Sequence, residues 1–229
     1  MTNHILAGDP PVPVILRRSS QVKRISLRIS SLDGRVTLTM PSSVPDYEAL
    51  DFAESKRAWI LTHLSQQQPQ VIVRSGAMIP VEGVTRRAEI YSGRAVRIEY
   101  GVIQVPQHRP AGPTLRAALK ERARDRLIAA TDYFAARLGR RVTRITLRDT
   151  RSRWGSCTST GGLMFSWRLI LSPPDVLRYV AAHEVAHLAE MNHSPAYWRV
   201  LSDLHGPFET QRTWLKTHGA DLHRYIFDD

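Results

Sequence analysis

The stretch Tyr179–His193 constrains this chain more than any other. It contains His183-Glu184-x-x-His187, set among Val180, Val185, Ala186 and Leu188. Residues four apart on a helix share a face, so His183 and His187 can aim two imidazoles at one ion. Glu184, beside the first histidine, is placed to take a proton from a metal-activated water. The helix is expected to end near Glu190. Met191-Asn192 then lets the chain turn, so that His193 returns to the same ion. Catalytic zinc takes three protein ligands and keeps one position open. His183, His187 and His193 meet that requirement, with Glu184 as general base. Glu190 is the alternative third ligand, and His205 is a more distant candidate for the site.

The chain has 229 residues, with 32 Lys+Arg against 21 Asp+Glu, a net charge of +11. A surface this basic attracts polyanions, nucleic acid among them. The arginines are spread along the chain, however, which also fits an ordinary solvated surface. Cys157 is the single cysteine, so an internal disulfide framework is excluded and a reducing compartment is expected. The N-terminal residues lack the pattern of a secretory signal. No run approaches the roughly 18 apolar residues that would cross a bilayer. A cytoplasmic protein without a membrane partner is the expectation.

Residues 1–11 read as a flexible tail, residues 12–107 as a β-rich region with one helix, and residues 113–229 as the metallohydrolase domain. Ile25–Ser30 and Val36–Met40 alternate as strands around an Asp33-Gly34 turn. A helix is expected over 46–65, and short strands near 70–73, 84–91, 95–100 and 102–105. His108–Pro113 reads as a linker. A long amphipathic helix follows, capped by Gly139, with Arg116, Lys120, Arg122, Arg124 and Arg126 on its polar face. Val142–Arg148 and Leu163–Leu171 read as strands before the motif helix. Ser172 is its expected cap, and Ser194-Pro195 starts the next helix.

Several segments together resemble the YgjP-like metallopeptidase family, a relative of the SprT-like and WLM zinc proteases. They are Arg151-Ser152-Arg153-Trp154-Gly155-Ser156-Cys157, Phe165–Ile170, Pro173, the His183–Leu188 motif, Asn192-His193-Ser194 and Tyr197-Trp198. Arg24–Ile29, Asp33–Val36, Pro41 and Trp59-Ile60 extend the resemblance over nearly the whole chain. It implies an α+β fold: a β-rich N-terminal region, then a gluzincin-like domain whose motif helix packs on a small antiparallel sheet. It also implies Zn2+ at His183, His187 and His193, and catalysis by Glu184.

Arg151, Arg153 and Trp154 are candidates for substrate binding. The arginines suit a carboxylate or phosphate, and the indole suits an apolar subsite or the core. Cys157 could approach the metal or pack as a small buried hydrophobe. Leu163–Leu171 is the expected edge for an extended substrate. Three functions fit. The first is a metallopeptidase acting on peptides or proteins. The second is a metal-dependent nucleoside triphosphate (UTP) pyrophosphatase, a role assigned within the resembled family. The third is a nucleic-acid-associated protease or binding protein.

Overall fold

The computed structural model describes residues 2–30 and 33–228. The architecture is α+β, as expected, and the chain forms two compact units, residues 1–69 and 70–229.

In the first unit, β1 (Thr2–Leu6), β2 (Val12–Ser19), β3 (Ser26–Ile29) and β4 (Val36–Pro41) make one sheet of order β1-β2-β4-β3. The expected tail is therefore a strand. β1 pairs antiparallel with β2 and buries Leu6. Gly34 turns the β3–β4 hairpin at φ +70°, where glycine meets no Cβ penalty, although two residues of that connection lie outside the described set. The expected single helix over 46–65 is two, α1 (Asp46–Ser55) and α2 (Arg57–Ser65). The Ser55 hydroxyl donates back to Phe52 O at 2.7 Å, a bond that competes with the helical ladder at the break. Leu16, Leu38, Met40, Ala53 and Ile60 sit in this unit's own core.

The second unit begins with β5 (Val71–Ile72), β6 (Met78–Val81), β7 (Val84–Tyr91), β8 (Arg97–Ile98) and β9 (Val102–Pro106). Helix α3 (Ala111–Leu138) follows, ended by Gly139 in the left-handed conformation as its sequence predicts. The expected boundary at 108–113 is overturned. Ile79, Val81, Ile103 and Val105 from the strands share one core with Leu115, Leu119 and Leu127 of α3. The Pro-Gly chemistry there marks a change of element, not of core.

Three strands then lead to the motif: β10 (Arg144–Arg148), β11 (Gly155–Cys157) and β12 (Gly162–Ser166). Their order is β10-β12-β11, with β10 parallel and β11 antiparallel to β12. The small sheet is thus mixed, and β12 is central. Leu163–Leu171 cannot serve as a substrate edge, because both sides of β12 are taken. The expected strand also stops at Ser166, and Trp167–Leu171 is a buried 3₁₀ turn. A run that is apolar on every side has no periodicity to separate strand from helix.

Helix α4 (Pro174–Ala186) carries the motif, followed by α5 (Pro195–His205), α6 (Glu209–His218) and β13 (Tyr225–Ile226). Pro173, not Ser172, occupies the cap position of α4; the Ser172 hydroxyl instead donates to Leu169 O at 2.7 Å. Ser194 does cap α5, accepting from Tyr197 N.

The expected basic face of α3 is largely paired. Arg122 and Arg126 both hold Glu82, each at 2.6 Å, Arg124 lies 3.7 Å from Glu121, and Arg116 pairs with Asp228. Burial favours the neutral form of Glu82, but its two arginines outweigh this and keep the carboxyl below its usual range. Four of the five cations therefore already have a carboxylate. No helix among the described residues is long and apolar enough to cross a membrane.

Candidate metal centre

α4 ends at Ala186, one turn earlier than expected, and His187 occupies its C-cap position. The early end frees the chain to turn through residues 188–192 and return His193. One ring nitrogen from each of His183, His187 and His193 lies within 4.8 Å of the others. The Nε2 atoms of His183 and His193 are 3.2 Å apart. Two nitrogens at tetrahedral positions about 2.05 Å from one zinc would be about 3.3 Å apart, so this pair fits such an ion, with His187 close by.

The protonation states fit as well. His187 Nδ1 is 2.9 Å from Glu190 O, and a carbonyl can only accept, so Nδ1 carries the hydrogen and Nε2 keeps its lone pair. Burial, and then the positive charge of His187 and His193, pushes the His183 pKa down to about 3. Burial also lowers His187. Neutral imidazole is the form a metal takes.

Aromatic rings wall the cluster. Tyr197 stacks on His187 with centroids 4.5 Å apart, and its hydroxyl donates to His183 O at 3.1 Å. Trp198 stacks on His193 at 5.6 Å. Both aromatics come from the first turns of α5, aimed by the Ser194 cap. Tyr197 and Trp198 carry no assigned role at the level of sequence. Their position just after the third histidine was the available signal.

Glu184 is buried, and its carboxyl rests against Gly155. A Cβ on that glycine would lie 2.4 Å from Glu184 Oε1. Gly155 is thus required for space rather than for backbone conformation. Burial pushes the Glu184 carboxyl up to about 8, partly opposed by the charge of Arg153.

The remaining candidates separate. Glu190 lies outside the cluster and contributes only its carbonyl, to His187. His205 packs near Tyr179, with centroids 6.0 Å apart, and is not in the cluster. Cys157 is half-buried and also outside it. Burial and the Glu184 charge push its thiol up to about 11, so it stays protonated at neutral pH. Trp154 is wedged over Gly219, whose Cβ would lie 3.1 Å from the indole, and next to His223 at 5.2 Å. Arg151 and Arg153 are both exposed.

Arg168 anchors the frame behind the site. It holds Asp149 through two bonds of 2.6 and 3.1 Å and donates to Leu222 O and Tyr225 O, each at 3.0 Å. The loop before β11, the 3₁₀ turn before α4 and the C-terminal strand are thereby joined.

A model of the YgjP-like metallopeptidase domain matches residues 23–218. None of the curated proteins matches the chain. Among solved structures, the crystal structure of the metallopeptidase zymogen of Pyrococcus abyssi abylysin is similar over 42% of this chain and 92% of that one. Its identity is 17% and its TM-score 0.34.

Proposed function

The chain belongs to the YgjP-like metallopeptidase family, and we propose that it is a zinc-dependent peptidase with His183, His187 and His193 as ligands and Glu184 as general base. The convergence of three histidine ring nitrogens carries this reading. When bound, zinc lowers the pKa of a water ligand toward about 7 and polarises the carbonyl to be attacked. Glu184 takes the proton from the attacking water at its carboxylate and returns it to the leaving amine. Its buried setting favours holding that proton between the two steps, and the carboxyl would be favoured in its ionised form by a cation held at the histidines. His187 is held in register by Glu190 O, and Tyr197 and Trp198 keep the imidazoles from rotating.

The substrate edge in this reading is β11. Trp154 and Ser166 pair across β11–β12, as do Thr158 and Gly162. By antiparallel alternation the backbone groups of Gly155 and Cys157 then face away from β12. They are free to hold an extended peptide beside Glu184. The catalytic unit is residues 70–229, and the single unpaired cysteine agrees with a cytoplasmic setting.

Purified protein should carry about one zinc per chain. Glu184→Gln should retain that zinc and lose hydrolysis of unfolded protein. Full turnover by the variant would remove Glu184 from the mechanism. The charge of Arg153 near Glu184 motivates one alternative, nucleoside triphosphate pyrophosphatase activity. UTP offered in the same assay distinguishes it.

A further inference from the structure

The small sheet has a second face, turned away from the motif helix. Arg144, Thr146 and Arg148 of β10 alternate onto it, opposite the core-facing Ile145 and Leu147. Thr146, Met164 and Ser156 form one row across the three strands. Together with Ser152 and Arg153 they line a concave basin of about 630 Å3. Among the described residues, three arginines and a set of hydroxyls line it, and no carboxylate does. On α3, by contrast, four arginines are matched with acids. The basin thus gathers three arginines with no acid in its described lining.

The layout selects among anions. Arg144 and Arg148, four residues apart on a strand, are separated by about 13 Å. Arg153 belongs to the loop on the opposite edge, about 10 Å across two strand spacings. Spread in this way, they suit an extended chain bearing several carboxylates better than a single phosphate or carboxylate. Among the described residues no aromatic ring lines the basin, so single-stranded nucleic acid would find no stacking platform there. β11 is the shared wall: Gly155 backs onto Glu184, while Ser156, the next residue, faces the basin.

We propose that this basin is an exosite for an acidic segment of the substrate, so that the enzyme prefers proteins with Asp- or Glu-rich stretches close to the cleaved bond. This preference rests on the peptidase reading above. The segment would pass from the open edge of β11 over the outer face of the sheet, its carboxylates meeting Arg153, Arg144 and Arg148.

Binding is measurable apart from hydrolysis. The Glu184→Gln protein, loaded with zinc, is titrated into a fluorescein-labelled oligo-glutamate peptide, a Gly-Ser peptide and oligo-dT, with polarisation as readout. The oligo-glutamate peptide should bind, the Gly-Ser peptide should not, and added salt should weaken the complex. Combining Arg144→Gln with Arg148→Gln should weaken it about tenfold. Both side chains are exposed, and a thermal melt verifies that the double variant folds. Placed in the active enzyme, the same pair should raise KM for an acidic substrate and leave cleavage of a neutral one unchanged. Oligo-glutamate binding unaffected by the double variant overturns the exosite. Tighter, variant-sensitive binding of oligo-dT overturns its assignment to acidic peptide. Variant-sensitive peptide binding by a protein that hydrolyses no peptide would retain the exosite and sink the peptidase reading instead.

Discussion

Gly155 and Glu184 are fitted to each other: a methyl group on the glycine would stand 2.4 Å from the glutamate Oε1. The strand and the helix that carry them meet at this point, and the carboxyl occupies the space that a side chain would fill.

Gly155→Ala should therefore spare the fold and damage the chemistry. The clash extends to Glu184 Cγ and Cδ, at 2.6 and 2.7 Å, so the whole side chain must shift, at a cost in stability smaller than the loss of chemistry. A displacement of about 1 Å in a reacting group costs about 100-fold in rate. Zinc content should remain at the wild-type level while kcat falls by about that factor. Undiminished kcat would show that the position of Glu184 is not set by the strand.

Tyr197 separates orientation from ligation. Tyr197→Phe loses the bond to His183 O but keeps the stack on His187, and should cost about 1 kcal/mol in thermal denaturation with zinc retained. Tyr197→Ala removes the wall as well. Competition with a chromogenic chelator should then show zinc affinity lower by about 10- to 100-fold. Equal affinity in both variants would assign the ring to the core alone.

Metal removal should be visible as lost stability. An ion that binds only the folded chain stabilises it by about 4 kcal/mol when present at about a thousand times its Kd. Chelation should lower Tm, and added zinc should restore it. His193→Ala should lose most of this response, since the histidines of α4 and its C-cap remain without the third. A His193→Ala protein with the wild-type zinc response would exclude His193 as a ligand.

The Asp149–Arg168 pair gives a pH dependence with a definite sign. Burial alone would raise the Asp149 pKa, but the bonds and charge of Arg168 hold it below the usual aspartate value of 3.8. A depressed carboxyl stabilises the fold above its unfolded pKa, and that stability is lost as pH falls through the folded value. The contribution should thus be complete at neutral pH and fade below about 4. Asp149→Asn leaves the buried guanidinium short of its carboxylate. It should cost about 2 kcal/mol at pH 7, less than a fully buried pair would, because the Asp149 side chain is 41% exposed. The difference in Tm between wild type and variant should shrink as pH drops below 4. A constant difference would mean that Asp149 acts through packing rather than charge.

What the sequence makes legible is what its local periodicity encodes. Helical spacing alone places His183 and His187 together, and Ser194-Pro195 announces the start of α5. His193 could be read as near the site, but its approach depends on α4 stopping at Ala186, which the sequence does not mark. Relationships across long separations were out of reach. Glu82 meets Arg122 and Arg126 from 40 and 44 residues away, so a helix face that reads as open positive charge is mostly paired. Leu163–Leu171 reads as a strand, but strand neighbours are set by folding, and β11 takes the edge. The contact of Gly155 with Glu184 has no local signal at all, because it exists only once α4 is packed against β11.

The turn from His187 to His193 also works as a ruler. Its five intervening residues have one task, to return a ring to the end of the helix that they have just left. Adding or deleting one residue there would leave α4 and α5 with their own caps and cores, but would rotate the third imidazole away from the first two. Length variation at this connection should yield folded, stable chains that no longer retain metal, and lineages that keep the chemistry should keep its length.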